Sequence, residues 1–486
     1  MTGIVLLGAA LRIAPLTDNR FHPDEALFGT LGRLIIEGKD PLLSQTRLLV
    51  DKPPLFYYML ASAISIDWAS ELTARLPGLF ASIVSLALVV RLTRHLWRSE
   101  GAASVAGLLF ALSPFAISFA PTAFADPQMV MWLLAAMLAI CTGRWGWGGF
   151  FFGLALATKE NAIFFAPLII GLGFVQRITV ETNRYDVAYG VLRFAFGIGV
   201  NVLAMGLWQF ARHTDVGFLA AALGANNPHR IIRSNEVWPR LASWWGYLKY
   251  ATGGPIVTAF SVALVGIFAL IDSKSKSRPA TTTLILIAFC VAYFAFMWLV
   301  AFPVLDRYLL PLIAIIAILL GKVAIRLDEP LMHLVQGKLR VVIRGAVHLL
   351  VLGAIVPSAF QAMSSELPVG GDHGAYDGID QAAAYLRNLP PGTAIYYNSL
   401  GWELNYYLFD SYVVPAVFAS PDALTTDLLT FGQAPNQRYL IMAGGISQTE
   451  IMDAVQRAGF EAQVVKETYN RAGERSFVIY HLATTP

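Results

Sequence analysis

Acidic side chains that could take part in catalysis stand at the ends of the apolar segments of this chain. Asp24 and Glu25 directly follow the first apolar run, and Asp126 begins a later one. An ionised carboxylate close to hydrocarbon costs roughly 3 kcal/mol or more unless water, a cation or a substrate compensates it. Such a carboxylate can act as a general base or hold a metal. A structural interpretation is also open, because Pro23 suits the start of a helix, whose dipole favours acids in its first turn.

Basic side chains occur at positions of the same kind. Lys52, Lys159 and Arg307 each stand beside an apolar segment. Singly, such a residue is more often a helix cap or a long side chain that reaches the membrane interface. Together, in a chain with only 14% charged residues, these acids and bases predict a polar cavity at the membrane surface. Arginine binds phosphate as a fork and lysine as a point charge, so the three cations fit a phosphate group.

The composition indicates the broad class of protein. Of the 486 residues, 56% are hydrophobic, and the mean hydropathy is +0.58. This is far more apolar sequence than one soluble core could use, so we predict an all-α polytopic membrane protein. The net charge of +3 is too small to indicate a nucleic-acid partner. Cys141 and Cys290 both lie in apolar runs and cannot build a disulfide framework or a thiolate metal site.

The distribution of Lys and Arg predicts the topology. Cytoplasmic loops collect these residues, which puts the ends at 91–98, 144, 177–184, 274–278 and 322–344 inside. The amino terminus is then cytoplasmic, and the candidate acids and cations meet at the extracytoplasmic surface. We expect about eleven spans, the first of them a little short of the roughly 20 residues that a span needs, with interfacial helices at 21–36 and 55–66. The expected spans are residues 3–16, 76–90, 102–119, 129–141, 147–157, 163–175, 187–207, 256–271, 283–301, 308–323 and 342–360.

The carboxyl-terminal part has a different composition. A glycine-rich linker near residue 370 is followed by strand-like runs at 394–398, 439–442 and 477–481, which alternate with helical patterns at 379–388 and 448–458. We therefore predict a transmembrane domain over 1–363 and a small soluble α/β domain over 364–486. An odd number of spans places this domain outside the membrane. Its acids, such as Glu403 and Asp410, lie in no recognisable catalytic motif, so we expect an accessory domain, either a cover or acceptor guide or a structural cap, that supplies no chemistry.

Short motifs over roughly residues 1–325 resemble the GT-C glycosyltransferases. Within that superfamily the similarity is to the branch that contains the protein O-mannosyltransferases and the lipid A aminoarabinose transferase. The motifs, in chain order, are Asp24-Glu25, Asp51-Lys52-Pro53-Pro54-Leu55, Thr73-Ala74-Arg75-Leu76-Pro77, Phe124-Ala125-Asp126-Pro127, Ala157-Thr158-Lys159-Glu160 and Asp306-Arg307-Tyr308-Leu309-Leu310-Pro311.

The resemblance implies an inverting transfer of one hexose or pentose from a polyprenyl-phosphate carrier to an acceptor hydroxyl on the extracytoplasmic side. The acceptor is a lipid, a glycan or a protein. Asp24 stands where the family has its catalytic acid, Lys52 where a lysine faces the donor phosphate, and Asp126 at the acidic residue of the second outer loop. Glu25 joins the catalytic group, and the donor-phosphate group is completed by Lys159, Arg307 and Tyr308.

The residues fit this chemistry on their own. A carboxylate such as Asp24 can take the acceptor proton while cations hold the charge of the leaving phosphate, so no general acid is needed. A divalent metal is the alternative: it would bridge Asp24, Asp126 and the phosphate, with His22 as a further ligand. Because Lys and Arg can supply the positive charge alone, no cofactor is required.

Two other classes of protein remain open. An envelope polysaccharide or oligosaccharide ligase would expose arginines in a large outer loop, as Arg230, Arg233 and Arg240 do here. A secondary transporter would carry charges near the middle of its spans and often two repeated halves. The charges here stand at span ends and no repeat is visible, which favours the glycosyltransferase.

Overall fold

The computed structural model describes residues 1–64, 70–178, 184–226, 230–275, 277–333, 353–432, 434, 436–445 and 448–484. The chain divides into two compact units. We call Met1–Leu16 with Leu34–Gly370 the helical unit, and Thr17–Arg33 with Gly371–Pro486 the α/β unit. The predicted boundary at 363/364 lies close to the division at residue 370. The sequence did not predict that residues 17–33, which carry Asp24, belong to the same unit as the carboxyl-terminal part.

The helical unit consists of helices joined by short connections. Local sequence explains many of the helix starts: Ser70 and Ser99 accept hydrogen bonds from backbone amides of the first turns that follow them, and proline begins several others. The helices are α1 (Thr2–Ile13), α2 (Pro23–Ile36, which begins in the α/β unit), α3 (Pro54–Ala63), α4 (Glu71–Trp97), α5 (Glu100–Ala111), α6 (Pro114–Phe119), α7 (Asp126–Cys141), α8 (Trp145–Thr158), α9 (Ala166–Ile178), α10 (Arg184–Arg212), α11 (Phe218–Asn226), α12 (Val237–Leu248), α13 (Pro255–Asp272), α14 (Arg278–Leu299), α15 (Leu310–His333) and α16 (353–363).

Several of these helices are suited to cross a membrane. Five described helices are long and apolar enough: Glu71–Trp97, Val187–Arg212, Pro255–Asp272, Arg278–Leu299 and Asp306–Leu327. Four shorter apolar ones occupy Thr2–Thr17, Glu100–Ala111, Asp126–Cys141 and Glu160–Val175. The predicted span 342–360 lies mostly outside the described residues, so the number of spans stays a prediction.

The predicted span 102–119 is not one continuous helix. The chain leaves the helical conformation after α5 and starts again at Pro114 with α6. A proline lacks the amide hydrogen and disfavours helical geometry in the residue before it, which explains the break. Its consequence is that the last carbonyl groups of α5 need a donor from elsewhere.

Arg12 supplies that donor from the first apolar helix. Its guanidinium is fully buried and donates to the carbonyls of Phe110 at 2.9 Å and Ala111 at 3.1 Å. It also donates to the Ser82 hydroxyl at 2.9 Å, so that one side chain joins α1, α4 and α5. Gly8, one turn earlier, allows the close approach, because a Cβ there would lie 2.4 Å from Leu86.

The α/β unit confirms the predicted small sheet domain. A five-stranded sheet has the order β2-β1-β3-β5-β4, with parallel pairing among β2, β1 and β3 and antiparallel pairing from β3 through β5 to β4. Helices cover both faces of the sheet over two apolar clusters. The strands are β1 (Ala394–Tyr397), β2 (Val414–Val417), β3 (Arg438–Ala443), β4 (Phe460–Tyr469) and β5 (Arg475–Thr484), and the helices are α17 (Ile379–Arg387), α18 (Gly401–Tyr407), α19 (Pro421–Phe431) and α20 (Thr449–Arg457).

The predicted outside position of the carboxyl terminus can be tested with a reporter that fluoresces only in the cytoplasm. A fusion after Pro486 is expected to stay dark, because an odd number of spans separates it from a cytoplasmic amino terminus. A fusion after Gly143, in the exposed α7–α8 connection that the arginine distribution places inside, is the matched control and should be bright. A bright fusion at Pro486 beside a bright control would mean that one span has been miscounted.

Candidate active site

Lys52 lies in the loop before α3, and its position is fixed by its neighbours. Its backbone amide donates to the Tyr57 hydroxyl at 3.0 Å, and Pro54 starts the helix immediately after it. Its ammonium group donates to Asp51 at 2.6 Å and lies 3.9 Å from a Glu160 oxygen. Burial alone would lower the pKa of Lys52, but the Glu160 and Asp51 carboxylates outweigh it and raise the pKa. Lys52 therefore stays positively charged.

Lys159 and Asp126 form a buried ion pair. Lys159 follows α8 directly, and Asp126 is the first residue of α7. The ammonium nitrogen donates to both Asp126 oxygens, at 2.7 and 2.9 Å, and the two side chains are only 3% and 2% exposed. The same nitrogen lies 5.2 Å from the centroid of the Tyr308 ring, where the face of an aromatic ring attracts a cation.

Arg307 approaches the same region from the 3₁₀ helix Asp306–Leu309, directly before α15. Its guanidinium carbon lies 5.1 Å from the centroid of the Phe124 ring. The preceding Asp306 is occupied by backbone contacts, because its oxygens accept from the amides of Arg307 at 2.8 Å and Gly370 at 2.7 Å. Asp306 therefore fixes the turn that presents Arg307.

Electrostatic interactions connect these groups. The positive charges of Lys52 and Arg307 interact electrostatically with the Lys159 ammonium group. The charges of Arg307 and Asp126 interact in the same way with the Tyr308 phenol. We call the group formed by Lys52, Lys159, Arg307, Tyr308, Asp126, Asp51 and Glu160 the cation cluster. The structure thus brings together five residues predicted from the sequence: Lys52, Lys159, Arg307, Tyr308 and Asp126.

Two members of the cation cluster were not in the predicted set. Asp51 and Glu160 both interact with Lys52, and among the residues that the structure describes Asp51 Oδ1 and Glu160 Oε2 are buried without a hydrogen-bond partner. The available signal was their position, since each stands next to a predicted lysine in the motifs quoted above. Buried carboxylate oxygens without a partner are costly, which makes Asp51 and Glu160 candidate site residues.

The acidic pair of the first motif lies in the α/β unit, where its two members differ. Glu25 is fully buried and accepts a hydrogen bond from the His22 amide at 3.0 Å, which stabilises the start of α2. The Asp24 amide donates to the His22 ring nitrogen Nδ1 at 3.2 Å. Glu25 therefore has a structural contact of the kind that the helix-start interpretation predicts, and its catalytic role stays a prediction.

Side chains of the carboxyl-terminal region hold the segment that carries Asp24. The Phe21 amide donates to the Tyr407 hydroxyl at 3.3 Å, and the Phe21 ring packs edge-on against Tyr406 at 4.7 Å between centroids. Arg471 donates to the Asn19 side chain at 2.8 Å. None of these contacts was predicted, because they join residues more than 380 positions apart along the chain.

A second buried acid belongs to the surroundings of Asp24. Glu403, in α18, is 1% exposed and shares a hydrogen bond with Tyr376, and the Asp24 charge acts on both. The pKa of Glu403 is raised to about 7, mainly by burial. The Tyr376 hydrogen bond lowers this pKa, and the Asp24 charge adds to the increase. The sequence had indicated a tail that contributes no chemistry, and it gave no motif for Glu403.

Comparisons with known proteins show what this chain is similar to. The family model for dolichyl-phosphate-mannose-protein mannosyltransferases matches residues 51–210, a stretch that includes Lys52, Asp126 and Lys159. In solved structures, ArnT from Cupriavidus metallidurans bound to undecaprenyl phosphate has a TM-score of 0.65 at 15% identity, covering 98% of this chain and 97% of that one. The resemblance to the GT-C glycosyltransferases is confirmed.

Another solved structure and two curated sequences are also similar to this chain. The Archaeoglobus fulgidus oligosaccharyltransferase has a TM-score of 0.59 at 12% identity, covering 100% of this chain and 74% of that one. An undecaprenyl phosphate-α-4-amino-4-deoxy-L-arabinose arabinosyl transferase of Pseudomonas fluorescens is 23% identical over 67% of this chain and 58% of its own length. Its Enterobacter counterpart is 23% identical over 79% and 69%. The chain spans 58% and 54% of the lengths of the first two curated relatives. With its several long apolar helices, it is a multi-pass membrane protein.

A metal site was the alternative that the sequence left open. Within the described ranges no group of three or more His, Cys, Asp or Glu side chains could hold a metal ion. The proposed ligands were His22, Asp24 and Asp126. The Nδ1 atom of His22 is used to accept the Asp24 amide, which places this histidine in the local structure of the helix start.

Two of the three arginines that suggested a ligase-type outer loop, Arg230 and Arg240, have structural partners. Arg230 forms a two-pronged ion pair with Glu236 at 2.7 and 2.8 Å. Arg240 donates to the carbonyls of Met297, Trp298, Val300 and Phe302 at 2.9 to 3.1 Å. These carbonyls follow or end α14, where a cation is favoured by the helix dipole. His229 of the same loop lies outside the described residues.

Proposed function

We propose that this chain is an integral membrane glycosyltransferase that moves one sugar from a polyprenyl-phosphate carrier to an acceptor hydroxyl on the extracytoplasmic face, with inversion. The observation that carries the proposal is the cation cluster, in which the buried Lys52 and Lys159 and the half-buried Arg307 share one region with acids and an aromatic ring. Such a group is costly to keep beside hydrocarbon unless it binds a charged ligand. A polyprenyl phosphate unites that charge with a lipid chain.

The cation cluster suits the departure of the donor phosphate. When the bond between the anomeric carbon and the phosphate oxygen breaks, the leaving polyprenyl phosphate gains negative charge, which preorganised cations stabilise. The fork of Arg307 can hold two phosphate oxygens, while Lys52 and Lys159 act as point charges. The phosphate shares these ammonium groups with Asp51 and Asp126, whose carboxylates hold the two lysines in place.

Asp24 is the proposed base. It takes the proton of the acceptor hydroxyl as that oxygen forms its bond to the anomeric carbon, and the electron pair of the broken bond leaves with the phosphate. A single displacement of this kind inverts the configuration at the anomeric carbon. The Asp24 position at the start of α2 and its place in the first motif support this role, and the names of the curated relatives favour an aminopentose as the sugar. An envelope ligase is the alternative, but Arg230 and Arg240, two of the three arginines that suggested it, have structural partners.

Donor binding is tested with undecaprenyl phosphate alone, so that neither the sugar nor the acceptor has to be known. Lys52→Ala and Arg307→Ala are each expected to weaken binding roughly tenfold or more, because a hydrogen bond to a charged group contributes about 1.5–3 kcal/mol. Arg94→Ala is the matched control, since Arg94 is 64% exposed and pairs with Glu100. Affinities are measured by titration in lipid nanodiscs.

The uncharged alcohol undecaprenol separates phosphate recognition from binding of the lipid chain. Its affinity should be low and equal in all variants, because it carries no charge for Lys52 or Arg307 to hold. An undecaprenyl phosphate affinity that stays unchanged in both Lys52→Ala and Arg307→Ala would remove the phosphate site from this cluster.

Transfer itself is tested by release of undecaprenyl phosphate from a panel of undecaprenyl-phosphate-linked pentoses and hexoses, including 4-amino-4-deoxy-arabinose. The acceptors are lipid A, a glycan and a hydroxyl-containing peptide. Release that depends on one donor and one acceptor identifies both substrates. Mass spectrometry of envelope glycolipids and glycoproteins from a deletion strain gives the acceptor class independently.

A further inference from the structure

Two carboxylates of the cation cluster each have an oxygen atom that the cluster itself does not use. Lys52 donates to Asp51 Oδ2 at 2.6 Å and lies 3.9 Å from Glu160 Oε1. Among the residues that the structure describes, the second oxygen of each group, Asp51 Oδ1 and Glu160 Oε2, is buried without a hydrogen-bond partner. The Asp51 side chain is only 8% exposed. One oxygen of each carboxylate is enough to face the lysine, so compensation of the Lys52 charge does not account for the other oxygen.

Both acids stand on segments that the surrounding contacts fix. Asp51 precedes Lys52, whose backbone amide donates to the hydroxyl of the fully buried Tyr57 at 3.0 Å. Glu160 begins the 3₁₀ helix Glu160–Phe165, directly after Lys159. Each unpaired oxygen therefore belongs to a residue that is next to a proposed phosphate ligand in the sequence, and both residues interact with Lys52 in space. A ligand that brings a phosphate to Lys52 also brings the atoms bonded to that phosphate close to these oxygens.

In a polyprenyl-phosphate-linked sugar, the atoms beside the phosphate on one side belong to the sugar. The anomeric carbon is bonded to a phosphate oxygen, and in most pentoses and hexoses the next ring carbon carries a hydroxyl group. A phosphate held by Lys52 thus places this hydroxyl near Asp51, which holds the same ammonium group through its other oxygen. Hydrogen bonds to a carboxylate are among the strong ones. In glycoside hydrolysis, contacts to this hydroxyl strengthen as the bond to the leaving group breaks.

We propose that Asp51 Oδ1 accepts a hydrogen bond from the sugar hydroxyl beside the anomeric carbon, and that Glu160 Oε2 accepts a second hydrogen bond from the same sugar. The inference rests on the proposed function, because it needs the donor phosphate at Lys52. Asp51 and Glu160 are then specificity-determining contacts of the donor. Neither of them takes or gives a proton in the transfer.

The charges of the cation cluster restrict the class of sugar. Its cations are matched in number by its carboxylates, and the phosphodiester of the donor adds one negative charge. A uronic acid would bring a further carboxylate beside Asp51 and Glu160, and like charges in such a place are unfavourable. A neutral sugar or an aminosugar instead meets acceptors for its hydroxyl or ammonium groups. The cations are Lys52, Lys159 and Arg307, and the carboxylates are Asp51, Asp126 and Glu160.

The test compares donors that differ in one hydroxyl group. The probes are undecaprenyl-phosphate-linked mannose and 4-amino-4-deoxy-arabinose, the sugars named for the family model and the curated relatives, each with a counterpart that lacks the 2-hydroxyl group. Wild-type protein in nanodiscs is expected to bind at least one complete donor roughly tenfold or more tightly than its 2-deoxy counterpart. In Asp51→Ala the two should bind about equally. Because the ratio is taken within each variant, a general loss of phosphate binding cancels.

Glu160→Ala is the second variant, and it keeps the ion pair between Asp51 and Lys52. Its affinity for the complete donor, relative to that for undecaprenyl phosphate without a sugar, should fall roughly tenfold or more below the wild-type ratio. Undecaprenyl phosphate itself should bind at least as tightly as it does to the wild-type protein, because a negative charge near Lys52 has been removed. Glu100→Gln, which changes an exposed acid that pairs with Arg94, is the matched control and should keep both wild-type ratios.

Each contact can be overturned by its own measurement. Wild-type protein that binds every complete donor and its 2-deoxy counterpart equally well excludes the hydroxyl contact of Asp51, and this comparison needs no variant that might fail to fold. A wild-type ratio in Asp51→Ala or in Glu160→Ala excludes that residue as a sugar contact. If the affinity for undecaprenyl phosphate depends on Lys52 while no sugar contact is found, the inference alone fails. If that affinity does not depend on Lys52 or Arg307, the proposed phosphate site fails with it.

Discussion

Asp24→Asn is expected to lower turnover by at least about a hundredfold, the smaller end of what a general base contributes. The amide has the size of the carboxylate but cannot take the proton of the acceptor hydroxyl. The hydrogen bond between this residue and His22 uses the backbone amide, so the variant keeps that contact. Binding of undecaprenyl phosphate should also persist, since the proposed phosphate ligands are Lys52, Lys159 and Arg307.

Asp18→Asn is the matched control for this prediction. Asp18 is an exposed acid of the same segment, and its contact with Arg471 at 3.0 Å uses the backbone oxygen. Its replacement should leave turnover near that of the wild-type protein. Turnover in Asp24→Asn that remains close to the wild-type value would exclude Asp24 as the base and move the role to Glu25 or Asp126, for which Glu25→Gln and Asp126→Asn are the next variants to measure.

The sequence predicted the cation cluster well because its members stand in short motifs at helix boundaries. Lys52 precedes the Pro-Pro start of α3, Asp126 begins α7, and Arg307 precedes α15. A residue at the end of an apolar segment has its depth in the membrane fixed by that segment. Several such residues therefore meet at one level even when the packing order of the helices is unknown. Their roles in binding and catalysis stay predictions.

The surroundings of Asp24 could not be predicted in the same way. Phe21 contacts Tyr407, and Arg33 pairs with Asp410, across most of the length of the chain. Hydrophobic periodicity reports which face of an element is buried and not which distant element covers it. The carboxyl-terminal region was therefore interpreted as an accessory domain, although the structure groups it with residues 17–33 in one unit.

Two strands of the sheet were missed for a related reason. β2 is an edge strand with mostly exposed residues and contains Pro415, and β4 is the opposite edge strand, with polar and partly exposed residues along most of its length. Edge strands of this kind lack the alternation of apolar and polar residues by which a strand is recognised. The central strands β3 and β5 carry continuous buried apolar runs, and the predicted runs 439–442 and 477–481 lie within them, although the second covers only the middle of β5.

Variants of the buried Lys159–Asp126 ion pair allow its effect on stability to be distinguished from its effect on donor binding. Lys159→Met is expected to lower the free energy of unfolding by about 3–5 kcal/mol, because it leaves the Asp126 charge buried without its partner. The double variant Lys159→Met/Asp126→Leu should recover most of this loss, since apolar side chains of similar size can replace a buried ion pair at little cost. Arg94→Met, which removes one member of an exposed pair with Glu100, is the control and should change the stability by less than about 1 kcal/mol.

Donor binding should not follow the stability of these variants. The double variant lacks the Lys159 ammonium group, so its affinity for undecaprenyl phosphate should stay roughly tenfold or more below that of the wild-type protein although its stability is restored. Stability is measured by reversible unfolding in mixed detergent, and affinity by the titration described for Lys52 and Arg307. A double variant as unstable as Lys159→Met would attribute the loss to packing of the lysine stem. A double variant that binds undecaprenyl phosphate as the wild-type protein does would give Lys159 a structural role alone, and the phosphate would then depend on Lys52 and Arg307.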